Sequence, residues 1–309
     1  MVSHHFDDGV PWEEIYKDLT LPQNFLDDVA RRKQKTDAGR KILLSVAPLK
    51  ISRTERTGYY ANSKVGSDVI SQWNAKSFRD SSVINAYVKF ISYLINQLNA
   101  DYINYGVESN NGSWKTSDFE DYSYFLGQTY TKLKTLFPGK PFFISFMVLT
   151  DKGFLENAQK LEAYTDWITL SAYPYTYIGS PVHGSSSPAL IPGNLFQSYR
   201  DINAHKPLAI AETGYIAEDL DVSGVSKEGN PQWQDDYLNY LFKFCQKNEA
   251  KFIIWFCAYD YTDAINTFNT LGFEQELDLI WEHTGLFSEK LAQRPAFQTW
   301  KTWRKLPIK

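Results

Sequence analysis

Two cysteines in 309 residues are too few to staple a fold. Cys245 falls on a predicted helix and Cys257 in a predicted strand. That spacing suits neither a disulfide framework nor a metal site, so both read as small buried hydrophobes and the redox compartment stays open. No apolar run approaches the length of a membrane span. Positive charge is not in excess either: 32 Lys and Arg face 36 Asp and Glu, a net charge of -4, which argues against nucleic acid as the main partner. The first six residues carry no basic segment leading into an apolar stretch, so no signal peptide is visible. No Gly-x-Gly-x-x-Gly follows an early strand, and there is no phosphate loop of Walker type. No Gly-x-Ser-x-Gly elbow is present. Dinucleotide, nucleoside triphosphate and Ser-His-Asp chemistry all lose support.

What the chain has in abundance is aromatic surface: Trp 9, Tyr 20 and Phe 20 make up 16% of it. Rings of this kind fill cores, and they also line clefts that take the apolar C–H faces of sugars. Short apolar runs alternate with longer amphipathic segments. Strands are predicted at Val2–Phe6, Lys41–Ala47, Asp101–Val107, Pro141–Val148, Trp167–Tyr173, Pro207–Ala211 and Lys251–Ala258, continuous runs that suit a parallel sheet covered on both faces. Between them, Val83, Tyr87, Ile91, Leu94 and Leu98 recur at helical spacing, with Ser81 or Ser82 available as a cap. Ser117-Asp-Phe-Glu120 reads as a capping box, Gln232–Asn248 as a helix, and Pro295 as the first turn of a C-terminal helix. Repeated strand–helix units without a linker point to a single α/β domain over residues 1–309, a (β/α)8 barrel of TIM type. Seven strands are one short of eight, and the simplest account is a first strand lying upstream of Val2.

Two of the strands end in glutamate. Pro207–Tyr215 carries Glu212 after an apolar run, and Asp101–Glu108 has the same form. An ionisable group in such a place is costly unless something pairs with it or uses it. Retaining glycosidic cleavage needs two carboxyl groups about 5 Å apart, one to protonate the leaving oxygen and one to attack the anomeric carbon. The plainer reading is a strand-end glutamate paired with a neighbouring Lys or Arg.

Ala211-Glu212-Thr213-Gly214-Tyr215 resembles the nucleophile strand of the clan A, or 4/7, retaining glycoside hydrolases. Asp166–Tyr175, with its Tyr-Pro pair, is similar to the sixth strand of the endo-galactanase branch, and Ile254-Trp255-Phe256 to the eighth, whose aromatic floors the cleft. The resemblance spans roughly residues 1 to 305 as an order of strands. It implies that Glu108 is the acid/base at the fourth strand and Glu212 the nucleophile at the seventh. It also implies a β-linked oligo- or polysaccharide substrate, no cofactor and no metal. Val107 stands where that superfamily has Asn to hold the sugar 2-hydroxyl, leaving Asn110 or Asn111 as substitutes. The same departure suits a different class of protein, a barrel that binds carbohydrate without cleaving it. A chitinase-like frame, Asp101-x-x-Asn104-x-Gly106-x-Glu108, overlaps the strand but has glycine at its penultimate acid and no use for Glu212, so it ranks lower.

Further substrate contacts are expected by position at His5 and Asp7, at Asn110 and Trp114 after Glu108, and at Tyr173, Tyr175, Trp255 and Asp260. Each has a plainer alternative in core packing or loop structure. Arg53 and Arg56 follow the second predicted strand and could reach the cleft. A monomer is expected, with carbohydrate as its partner and no membrane span.

Overall fold

The computed structural model describes residues 1–179, 184–222, 224–272 and 276–305. All seven predicted strands are present. They are β1 (Val2–Phe6), β2 (Ile42–Val46), β3 (Tyr102–Gly106), β4 (Phe142–Met147), β5 (Ile168–Ala172), β7 (Leu208–Thr213) and β10 (Ile253–Trp255). They form one sheet in the order β1-β2-β3-β4-β5-β7-β10. Three short strands lie in the loops, β6 (Gly184–Ser185), β8 (Leu220–Val222) and β9 (Val225–Glu228), and make a second sheet in the order β6-β9-β8. The chain divides into two compact units, residues 1–147 with 152–169, and residues 148–151 with 170–309.

In the first unit β1 to β4 pair in parallel, with His5 opposite Ser45 and Ser45 opposite Asn104. These strands are not purely apolar. Ser45, Asn104 and Ser145 are buried, and the Asn104 amide joins β3 to β4 by donating to Ser145 Oγ (3.1 Å) and accepting from Ser145 N (3.1 Å). Buried polar groups are tolerable when paired in this way. The helix Ser81–Leu98 buries Val83, Tyr87, Ile91, Leu94 and Leu98, the face its spacing predicts. Its cap is Asp80 rather than either serine: the Asp80 carboxylate accepts from Ser82 N at 2.7 Å, a better acceptor for an orphan N–H than a hydroxyl would be. The predicted capping box does not form either. The next helix starts one residue earlier, at Thr116, with no side-chain cap, and Ser117 Oγ turns to Asp118 (3.2 Å).

In the second unit β7 and β10 pair in parallel. The helix Pro231–Lys247 begins with proline at its first turn, where a missing N–H costs nothing, and Asn230 caps it by accepting from Trp233 N at 2.9 Å. The C-terminal helix Pro295–Trp303 starts the same way. Ile253 and Trp255, on one face of β10, pack with Leu238, Phe242, Leu286 and Ala296. Among the described residues no helix is long and apolar enough to cross a membrane.

Candidate active site

Glu212 is the fifth residue of β7, where successive side chains point to opposite faces. Its neighbour Thr213 turns into the core, donating to Ala172 O (2.7 Å) and meeting the Tyr237 hydroxyl (2.7 Å). Glu212 points the other way, is only half-buried, and accepts a hydrogen bond from the Tyr173 hydroxyl at 2.6 Å. Tyr173 follows directly on β5, so the predicted Tyr-Pro segment places its first tyrosine against the carboxylate. Gly214 is needed for close approach: a Cβ there would lie 2.4 Å from Phe256 O and 3.1 Å from the Tyr173 ring.

Glu108 is held differently. It sits two residues beyond β3 in a tight turn, with φ at 51°, the left-handed region that a side chain adopts only under constraint. Its backbone N–H donates to Ser145 Oγ (3.0 Å), and the next N–H, of Ser109, donates to Ser145 O (3.0 Å). The side chain is buried and its Oε2 accepts from Arg53 Nε at 2.9 Å. Arg53 is buried as well, also has a positive φ (56°), and its Nη1 donates to Lys50 O at 3.3 Å. The loop carrying it is fixed by Thr57 N donating to Pro48 O (2.8 Å) and by the Asn111 amide donating to Ser52 O (3.1 Å). Arg53 therefore reaches the candidate acid/base, as its position after β2 allowed. Arg56 does not share that role. Its guanidinium lies over the Trp12 ring (4.9 Å) and donates to Trp73 O, and burial pushes its pKa down to about 10.

Four of the expected substrate contacts are engaged within the protein. Asn110 is fully buried, and its amide serves the main chain: it donates to Met147 O and Phe154 O (both 3.0 Å) and accepts from Met147 N (2.7 Å). Tyr175 is fully buried, with its hydroxyl on Ile280 O (2.7 Å). Trp255 turns away from β10's other face into the helix cluster and donates to Thr284 O (2.9 Å). Asp260 accepts both guanidinium N–H groups of Arg294 (2.6 and 2.7 Å) and the Gly285 N–H (3.0 Å). Each looked available in the sequence because strand-end position says nothing of which face a side chain takes or what it meets there.

His5 and Asp7 close β1 with 4.0 Å between them. The adjacent His4 is no surface partner: it is buried and meets Thr36 Oγ1 (2.9 Å), and burial lowers its pKa. Trp114 lies flat on Tyr122 (centroids 5.2 Å apart, 14° between planes) beside Phe78 and Phe119, and Tyr122 in turn meets Ser109 next to Glu108. Gly106 answers the chitinase-like frame. A Cβ there would stand 2.7 Å from Ile144 and 2.8 Å from Ser109 Oγ, so the position has no room for an acid.

Two further rings join the cluster around Tyr173. Phe256, the residue after β10, lies parallel to Tyr261 (5.4 Å) and meets Trp281 edge-on (6.0 Å). Trp281 meets the Tyr173 ring in the same way (6.0 Å). Nearby, Glu218, Asp260 and His283 bring one donor atom each within 4.8 Å of one another, but the Arg294 cation already occupies Asp260 and also reaches Glu218 (2.7 Å), which disfavours a second cation. Burial alone would raise the Asp260 pKa; the neighbouring His283 (3.8 Å) and Arg294 outweigh it and hold the carboxyl below the usual range.

No protein-family profile matches the chain, and no curated protein does. Solved structures do. A GH5_18 protein from Streptomyces cattleya, in complex with Manβ1-4GlcNAc, is 12% identical over 99% of this chain and 73% of its own, with a TM-score of 0.62. A fungal β-1,4-galactanase is 13% identical over 99% of this chain and 87% of its own (TM-score 0.59). The GH53 catalytic domain of Ignisphaera aggregans is 15% identical over 96% and 83% (TM-score 0.58). At such identities the likeness is one of fold: the chain has the (β/α) barrel fold of TIM type that its sequence pattern implied.

Proposed function

We propose that this protein is a retaining glycoside hydrolase that cleaves a β-linked oligo- or polysaccharide by double displacement. The observation that carries the reading is Glu212, presented at the end of a parallel strand with a tyrosine hydroxyl on one carboxylate oxygen. The other oxygen attacks the anomeric carbon and forms a glycosyl ester, while Glu108 protonates the departing oxygen. Glu108 then takes a proton from water, which hydrolyses the ester, and two inversions restore the original configuration. Strand order supports the pairing: β3 is third and β7 sixth in the sheet order, three places apart, the same interval as between strands four and seven. The names of the solved structures with this fold, among them galactanases and a mannoside complex, suggest which substrates to try first.

The test is Glu212→Gln assayed on β-1,4-galactan and β-1,4-mannan oligosaccharides. The wild type should release reducing sugar whose anomeric configuration, read by proton NMR before mutarotation, is retained. The variant should lose activity by on the order of 10⁴-fold or more with its fold intact. An active variant, or an inverted product, rules the mechanism out. A second reading, binding without cleavage, is favoured by Val107, which is buried where a polar side chain would serve the sugar, and by the engagement of Glu108 with Arg53. Tight binding on a glycan array with no release of reducing sugar from the bound glycan would select it.

A further inference from the structure

A buried indole N–H normally has an acceptor, because leaving it bare forfeits a hydrogen bond that water would supply. Trp12 donates to Gly58 O (3.1 Å), Trp73 to the Glu13 carboxylate (2.8 Å) and Trp255 to Thr284 O (2.9 Å). Trp114 and Trp281 do not follow this rule, and Trp281 is the one whose ring meets Tyr173. Its ring is only partly covered, yet its Nε1 is buried without an acceptor among the described residues. The ring stands edge-on to Tyr173, whose hydroxyl holds Glu212 at 2.6 Å, and edge-on to Phe256 on the other side. An unpaired donor has thus been placed in an aromatic wall one side chain away from the candidate nucleophile.

We propose that Trp281 is a substrate-contact residue: its indole N–H donates to a hydroxyl of the sugar that Glu212 attacks. A pyranose offers what this wall lacks, a hydroxyl edge as acceptor and an apolar C–H face to lie along the rings. Trp281 then contributes to selecting the sugar. The proposal rests on Glu212 being the nucleophile.

The experiment uses Glu212→Gln protein labelled with ¹⁵N at tryptophan, titrated with β-1,4-galactotetraose and with β-1,4-mannotetraose. The Trp281 indole resonance, assigned by its disappearance in Trp281→Phe, should move on addition of at least one sugar while that of Trp12 stays put. In the otherwise wild-type enzyme, Trp281→Phe should raise KM about fivefold, the loss of one neutral hydrogen bond, with kcat nearly unchanged. A resonance unmoved by either sugar overturns the proposal, as does an unchanged KM. If Trp281→Phe behaves as wild type while Glu212→Gln is inactive, only this inference falls; if Glu212→Gln still turns over, the functional reading falls with it.

Discussion

Glu108 and Glu212 both follow apolar strands, yet the chain holds them in opposite ways. Glu212 lies within its strand, half-buried, and its carboxylate accepts a hydrogen bond from a neutral phenol. Glu108 lies beyond its strand, buried in a left-handed turn, against the guanidinium of Arg53. A phenol orients a carboxylate without neutralising it; a buried cation fixes charge and position together. An acid and a nucleophile, the roles proposed for these two, need surroundings that differ, and these do.

The sharpest way to break that comparison is to remove the proposed acid/base. Glu108→Ala should lower turnover of an alkyl β-glycoside by about 10² to 10⁴-fold and that of an aryl β-glycoside with a good leaving group far less. Equal losses on both substrates would mean that Glu108 is no proton donor. Arg53→Ala comes next. It strips the partner from a buried carboxylate, an interaction whose loss costs about 3–5 kcal/mol, so chemical denaturation should show a drop of that order, with Arg53→Lys recovering part of it. An unchanged midpoint would show that the pair is dispensable. For Glu212, Tyr173→Phe removes one hydrogen bond to a charged group, about 1.5–3 kcal/mol, and kcat/KM should fall about 10 to 100-fold while thermal stability hardly changes. A stability loss with normal kinetics would make Tyr173 a packing residue.

The smallest effect is expected away from both carboxylates, at His283. The Asp260 carboxylate, 3.8 Å from its Nδ1, raises its pKa above the ordinary 6.5 against the effect of burial, with Glu282 and Glu218 adding to the rise. Because the folded value is the higher one, protonated His283 stabilises the fold fully below pH 6.5, and that contribution disappears as pH climbs through the folded pKa. The Tm difference between wild type and His283→Gln should therefore be greatest at pH 5–6 and shrink on the alkaline side. Arg294 competes for the same carboxylate, which is why the effect is small. A difference that grew with pH would reverse the assignment.

Much of this fold could be read before any coordinates. Apolar runs of strand length and the 3.6-residue recurrence in Ser81–Leu98 depend on burial alone, and burial leaves a pattern along the chain. Pro231 and Pro295 marked helix starts because a ring without an N–H tolerates few other places. The caps were harder: Asp80 took the role expected of Ser81 or Ser82, since several polar residues near a helix start compete and geometry picks one. Of the site, Glu212 and Tyr173 were legible from strand-end position and the Tyr-Pro pair. Trp281 was not, because nothing along the chain shows that a ring well beyond β10 will meet Tyr173.

The sequence by itself determined where strands and helices lie, and which two carboxylates sit costlily at strand ends, because hydrophobic period and an ionisable group among apolar residues are local facts. Only the tertiary structure decided what each polar group meets. Asp260 went to Arg294, 34 residues on; Asn110 went to the main chain of Met147 and Phe154; Arg53 reached Glu108 across 55 residues. Hydrogen bonds and ion pairs act over about 3 Å in space, and sequence distance carries no trace of which partners folding will bring that close.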